Sequence, residues 1–258
     1  MTRKNSLYRI GVLDNFLFHW KDLFLLEHTK SGGNIMLQQF TPSAQRKMQC
    51  DNMHLMWGMT FTEENGFPQL TPNPDTDITG IELYPYDNRN KHKGYNWGIH
   101  FFRPDPTFMR AVTTNLERTT SAILDCKVVF APDFSLYVDL PTPFINKQNL
   151  YRSRFAAAYW QRCGLNVIQT ASWGDANSLK YAFEGLAENS VTAVCGIGHD
   201  FCRSAQELWK HAVFKLIELK KPSRLIIYGG KREAIPDFGL PVQYLEDYIT
   251  RHFRNYGK

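Results

Sequence analysis

Along the second half of the chain, apolar residues gather into short runs of strand length. Each run is closed by a polar turn and followed by a stretch with helical spacing. The runs are WGIHFF (Trp97–Phe102), VVFA (Val128–Ala131), VIQTA (Val167–Ala171), TAVCGI (Thr192–Ile197) and LIIY (Leu225–Tyr228). Short, nearly continuous apolar runs suit strands buried on both faces of a parallel sheet. Between them the pattern predicts helices over Thr107–Leu124, Lys147–Cys163, Asn177–Leu186 and Cys202–Lys220. In the last of these, Ala205, Leu208, Ala212, Leu216 and Leu219 recur at helical spacing and form one stripe for burial. A further strand, Val242–Leu245, precedes a polar helix that runs to the C-terminus.

Residues 1–95 follow a looser pattern, with a Pro/Asn/Asp-rich stretch at Phe67–Asp77 and a polar loop at Asp87–Gly94. Such clusters punctuate structure and lie at the surface. Short strands are expected here at Asn34–Phe40, Leu55–Phe61 and Ile81–Tyr86, and a helix at Leu13–Leu26. Strand–helix alternation dictates crossover connections of one hand. Adding the strands of the first part brings the strand count near eight. The expected architecture is therefore one α/β domain over residues 1–258, with an irregular part (1–95) and a regular core (96–258). A complete or imperfect β/α barrel of parallel strands is the first expectation, and an open doubly wound sheet is the alternative.

Composition narrows the class. The chain has 258 residues, 43% hydrophobic and 21% charged, the balance of a globular protein rather than a disordered one. No apolar stretch approaches the roughly 20 residues a membrane helix needs. The opening MTRKNSLYRIG lacks an apolar run followed by a small-residue cleavage site, so a cytoplasmic location is expected. The five cysteines are odd in number, widely spaced and without a C-x-x-C pair, which argues against a disulfide framework or a structural zinc site. The net charge of +5 gathers at Arg89–Lys93, Arg152–Arg162, Lys220–Arg232 and Arg251–Lys258, a balance compatible with nucleic acid or other anions.

In both architectures ligands bind beyond the carboxyl ends of the parallel strands, so those ends make the candidate list. Asp105, before Pro106, and Asp175, just before the expected helix at Asn177, read as helix caps. Asp133 is separated from the next helix by a proline-containing loop, cannot easily cap it, and is the leading catalytic candidate. His199 and Asp200 follow a strand directly and could serve as base, anion ligand or metal ligand. His100 lies within an aromatic strand. A core histidine with one satisfied hydrogen bond is the commoner outcome there, and His100 is kept as a fourth catalytic candidate.

Arg152 and Arg154 are suited to capture phosphate or carboxylate, although only one of the two can face a given neighbour. Gly229, Gly230 and Lys231 resemble a phosphate-cradling turn but lack the spacing of a P-loop. Trp173 offers a stacking surface for nucleic acid. No G-x-G-x-x-G, G-x-S-x-G or H-E-x-x-H occurs, so no nucleotide cofactor motif is present. A divalent metal stays admissible, with no ligand set assigned to it.

Several of these segments, taken in order, resemble the domain of unknown function 4417 family. They are GIHFF (Gly98–Phe102), APDFSLY (Ala131–Tyr137), YRSR (Tyr151–Arg154) with Tyr159 and Trp160, VIQTASW (Val167–Trp173) and IYGG (Ile227–Gly230). The resemblance spans roughly residues 96–231 and leaves the first 95 uncovered. That family occurs in bacteria, archaea and their phages and plasmids, and it brings no activity to carry over. The resemblance implies a setting in mobile genetic elements, which favours work on nucleic acid or interference with a host pathway.

Three functional readings follow. The first is a nucleic-acid-associated protein of a phage or plasmid, in replication or its control, with DNA or RNA as partner. The second is a β/α-barrel enzyme acting on a phosphorylated or other anionic substrate through Asp133 and His199. The third is a non-catalytic inhibitor of a host protein. Whether the chain is an enzyme, and its oligomeric state, are left open by the residues alone.

Overall fold

A computed structural model describes residues 43, 48–49, 52–92, 94–197, 202–229, 235–248 and 250. The chain divides into two compact units, Met1–Arg46 and Lys47–Lys258, and the sheet belongs to the second. The helix expected at Leu13–Leu26, the strand at Asn34–Phe40 and the tail from Arg251 lie outside the described residues.

Seven strands form one sheet: β1 (Glu82–Pro85), β2 (Trp97–His100), β3 (Val128–Phe130), β4 (Val167–Ala171), β5 (Val191–Cys195), β6 (Arg224–Tyr228) and β7 (Val242–Leu245). They pair in sequential order, and every pairing is parallel. Sequential order excludes the open doubly wound alternative, whose strand order reverses at a switch point. The first strand lies within the part of the chain expected to be irregular, so the regular core begins earlier than residue 96.

The sheet is curled. Along β2 and just beyond it, Trp97, Ile99 and Phe101 pack into the cluster beneath the helices, while His100 and Phe102 turn to the other face. There His100 meets Tyr228 of β6 with ring centroids 4.9 Å apart, and Phe102 stacks on Tyr228 at 4.4 Å. Neighbouring strands lie about 4.8 Å apart, so a flat sheet would hold β2 and β6 roughly 19 Å from each other. Contact between them requires the sheet to bend back on itself as an imperfect β/α barrel. Gly98 permits the bend on β2: a Cβ there would stand 2.5 Å from Val128 Cγ1 and 2.9 Å from Leu83 Cδ2.

The outer face is covered by helices, of which α1 (Met109–Val112), α2 (Leu116–Ile123), α3 (Phe144–Arg162) and α4 (Arg203–Lys220) are α-helical. None of the described helices is long and apolar enough to cross a membrane. Cys126, Cys163 and Cys202 are free thiols. Three expectations are corrected. The helix expected over Thr107–Leu124 breaks at Thr113–Asn115, where the Thr113 and Thr114 hydroxyls donate to the carbonyls of Met109 and Arg110. Such side-chain bonds compete with helix continuation. The strand expected at Leu55–Phe61 is a 3-10 turn at Met53–Leu55 followed by irregular chain. The buried stripe of α4 runs through Trp209, Ala212, Val213 and Leu216, leaving Leu219 exposed. Trp209 sets that rotation by donating its Nε1–H to the Cys195 carbonyl at 2.8 Å.

A fourth correction exposes the main internal tie. The helix expected over Asn177–Leu186 is only a 3-10 turn, Ser178–Lys180. The carbonyls that would continue it are taken by Arg154 of α3, which is 0% exposed. Its guanidinium donates to the carbonyls of Thr170 (3.0 Å), Ala182 (3.0 Å) and Glu184 (3.3 Å). Gly185 then turns at φ 78°, with Pro68 O only 2.6 Å from where a Cβ would sit. The Glu184 carboxylate accepts from the Thr62 hydroxyl and from Asn65. One guanidinium thus joins α3, the end of β4, the 181–187 turn and the 60–70 segment.

Replacing Arg154 by Ala strands these carbonyls in the core and is expected to cost about 3–5 kcal/mol in urea denaturation. Arg154→Lys should recover less than half of that loss, because one ammonium cannot reach acceptors on two separate segments in the fixed fork of a guanidinium. A loss below about 1 kcal/mol for the alanine variant would show that the tie does not hold the fold.

Candidate functional site

The residues after β3 do not reach a helix for more than ten positions, yet they are held firmly. Three side chains on one face of α3, at i, i+3 and i+7, grip this loop: Asn146, Asn149 and Ser153, each no more than 4% exposed. Asn146 both accepts from the Tyr137 N–H and donates to the Tyr137 carbonyl, at 2.8 Å each. Asn149 donates to the Ser135 carbonyl at 2.8 Å, and the Ser153 hydroxyl to the Pro132 carbonyl at 2.6 Å. Buried side-chain amides and hydroxyls need partners, and here the partners are the main chain of residues 132–137. The consequence is a fixed position for Asp133 at the carboxyl end of β3.

Asp133 accepts a 2.5 Å hydrogen bond from the Ser172 hydroxyl, at the end of β4. On the neighbouring strand end, Asp105 is 7% exposed and accepts from the N–H and hydroxyl of Ser135, each at 3.1 Å to Oδ1. The expectation that Asp105 caps a helix is therefore corrected: its carboxylate crosses to the β3 loop. Asp175 does cap locally, accepting the Ser178 N–H at 2.9 Å. Burial lifts the Asp133 carboxyl to about 6; the Asp105 charge adds to the rise, while the Ser172 hydrogen bond and the Arg154 charge oppose it.

Asp133 and Ser172 open into a cleft of about 290 Å³ at the ends of β3, β4 and β5. Its walls are largely apolar and aromatic, including Phe134, Trp173, Leu208 and Trp209. Trp173 packs at 6.5 Å from Trp209 and edge-on to Phe183 at 6.1 Å. Aromatic walls around one convergent polar pair are the usual make-up of a small-molecule site. Among the described residues, no group of three or more His, Cys, Asp or Glu side chains is placed to hold a metal ion.

The structure brings together Asp133 and Trp173 from the sequence candidates, whereas Arg152, Arg154, Gly229 and His100 do not line their cleft. Arg154 is turned inward as the tie described above. Arg152 donates to Asn149 Oδ1 at 3.2 Å and does not line the cleft. Gly229 spends its N–H on the Leu245 carbonyl at 2.8 Å, so this amide is not offered to an anion. His100 lines a separate cavity with Tyr228; it is buried, as a core histidine would be, but its Nδ1 has no hydrogen-bond partner among the described residues. His199, Asp200, Gly230 and Lys231 lie outside the described residues, although Ile197, two residues before His199, lines the cleft. Asn146, Asn149, Ser153, Ser172 and Trp209 were not singled out from sequence. For the first three a signal existed: polar residues at i, i+3 and i+7, the spacing of one helix face.

The fold and the cleft define a β/α half-barrel protein with a carboxylate site at its strand ends. The chain belongs to the family described as Domain of unknown function (DUF4417), whose model matches residues 60–244. The match begins well before the segments that first carried the resemblance, so it includes β1 and the 60–70 segment anchored by Glu184. Two curated relatives are each called Gene 1 protein. One, from Mycobacterium phage L5, is 32% identical over 189 residues, covering 71% of this chain and 80% of its own. The other, from Mycobacterium phage D29, is 31% identical over 189 residues, covering 71% and 67%. No solved structure matches the chain.

The Asp133 carboxyl holds its proton up to about pH 6 in the fold, whereas an unfolded chain releases it near 4. The folded state therefore binds more protons between these values, and stability falls as pH rises through them. Asp133→Asn, uncharged throughout, should gain roughly 1–3 kcal/mol more over the parent near pH 7.5 than near pH 4, measured by urea denaturation at both. An equal difference at both pH values would show that the site does not hold the carboxyl up.

Proposed function

We propose that the cleft beyond β3, β4 and β5 receives one flat, nitrogen-containing ring, a base of a nucleic acid or nucleotide, and that the protein acts on nucleic acid for a phage. The observation that carries this reading is the Asp133–Ser172 pair set among Trp173, Trp209 and Phe134. Aromatic faces stack on any base, worth about 1–3 kcal/mol per base. A carboxyl at the floor accepts from the amino or imino N–H groups of a base edge and, when protonated, donates to its carbonyl or ring nitrogen. A volume of about 290 Å³ suits one extruded base rather than a duplex. The phage relatives and the net charge of +5 support the same setting.

Tryptophan fluorescence should be followed while single-stranded DNA, RNA and single nucleotides are titrated at two salt concentrations. Binding is expected to weaken with salt for the oligonucleotides, and to fall about tenfold or more in Trp173→Ala. Binding that is absent, or unchanged in Trp173→Ala, would remove the proposal.

A second reading rests on the Asp133 carboxyl at about 6. A group that loses its proton this close to neutrality can take one from a substrate and return it. Incubation with nucleic acid and nucleotides, followed by mass spectrometry, should then reveal a product that Asp133→Asn reduces at least about a hundredfold. A product formed equally by the variant would exclude Asp133 as acid or base.

A further inference from the structure

Among the described residues that line the Asp133 cleft there is no Lys, Arg or His. The cleft can enclose a base, but a phosphate attached to that base finds no cation on these walls. Cations lie close by. A larger cavity, of about 400 Å³, is lined by Lys147 and Lys180 and shares no lining residue with the cleft. The two lie back to back: Leu136, Val138 and Gly174 line the cleft, whereas Leu140, Asn146 and Asp175 line the larger cavity. The wall between them is one stretch of main chain. Tyr137, held by Asn146 at both its N–H and its carbonyl, packs directly on Gly174. A Cβ at Gly174 would stand 2.6 Å from the Tyr137 oxygen and 3.3 Å from Asn146 Nδ2, so this close approach needs glycine.

Lys147 is held in place within the larger cavity. Its Nζ donates to Asn65 Oδ1 at 2.6 Å and stands 5.2 Å from the centre of the Tyr181 ring. An ammonium has three donors, so the bond to Asn65 leaves capacity for an anion. Lys180 is exposed on the same wall. The amino end of α3, at Thr142 and Pro143, opens on this space, and its dipole favours negative charge there. Two carboxylates share the lining, and they decide how the site can work. Asp175 accepts the Ser178 N–H, and Glu64 is exposed. Both weaken the capture of a free anion, so a phosphate stays only when its ligand is already held across the wall. Tethering makes that second contact intramolecular and raises its effective concentration. Between the two openings Tyr137, Val138 and Phe144 are exposed, an apolar ridge on which a neighbouring base can stack.

We propose that the cleft and the lysine cavity are consecutive subsites for one single strand of nucleic acid. The base of one nucleotide enters the Asp133 cleft, the chain crosses the Tyr137 ridge, and a backbone phosphate beyond it lies at Lys147 and Lys180. This rests on the reading of the cleft as a base site and narrows it: the partner is a strand rather than a free nucleotide. A duplex is excluded, because its bases stay paired and stacked unless one is extruded at a cost.

The test follows tryptophan fluorescence of the full chain at several salt concentrations. The probes are single-stranded DNA and RNA oligonucleotides of mixed sequence, the same DNA as a duplex, and the free nucleosides. At least one of the two kinds of strand should bind about tenfold or more tighter than nucleosides and duplex, and comparing DNA with RNA identifies the strand. Lys147→Gln and Lys180→Gln should each flatten the slope of log affinity against log salt by roughly 0.7. The double variant should lose about tenfold or more in strand affinity while keeping its affinity for nucleosides. Lys180 is exposed, so its variant reports even if Lys147→Gln fails to fold. Lys127→Gln removes the same charge at the amino end of β3, opposite the strand ends, and should change neither affinity. Parental strand affinity and salt slope in the lysine variants, an equal loss in Lys127→Gln, or a duplex bound as tightly as a strand would overturn the proposal. Nucleosides still bound through Trp173 in that case would leave the base site standing. Binding of neither strands nor nucleosides would remove both.

Discussion

The buried guanidinium of Arg154 is the constraint on which the rest of this molecule depends. A charge taken wholly out of water is tolerated only where its donors are matched, and Arg154 finds its matches in main-chain carbonyls of β4 and of the 181–187 turn. Because those carbonyls accept from Arg154, they do not accept within a helix, and the 177–186 segment stays a turn. That turn exposes the Gly185 carbonyl to the Leu70 N–H and the Glu184 carboxylate to Thr62 and Asn65. The N-terminal approach to the barrel is thus fastened by an arginine nearly a hundred residues further along.

The same helix performs a second task one residue earlier in its turn. Ser153, with Asn149 and Asn146, grips the loop that follows β3. The two tasks converge on Asp133. Its backbone is set by the polar face of α3, its carboxyl is lifted by burial and by Asp105, and the Arg154 charge moderates the rise. A carboxyl held by burial above the usual carboxylate range keeps its proton to higher pH than a surface carboxylate does.

Curling the sheet produces two polar openings toward the strand ends. The cleft at β3–β5 lies where β/α barrels ordinarily place their ligands. A second cavity is lined by residues of β1, β2, β6 and β7, the strands at the two ends of the described sheet. His100 lines that cavity, and its Nδ1 has no hydrogen-bond partner among the described residues. The family match, residues 60–244, covers the whole lining of the cleft at β3–β5 and all of the second lining but Leu245, Glu246 and Tyr248.

The parallel α/β architecture was legible from the chain alone, because strands buried on both faces must be written as short apolar runs. All five runs of the second half became strands, as did Ile81–Tyr86 and Val242–Leu245, with shifts of a few residues at their ends. The place of Asp133 at a strand end, away from any helix start, was legible too. What sequence could not decide were the pairings between distant segments. Arg154 reads as an exposed anion clamp until the fold places three carbonyls around it, and Asp105 reads as a cap until Ser135 arrives from another strand end. The order and curl of the sheet, the unpartnered Nδ1 of His100 and the rise at Asp133 follow from burial and from neighbours distant along the chain. Local patterning records which positions avoid water, whereas the partner of a buried polar group is set only when the chain closes around it.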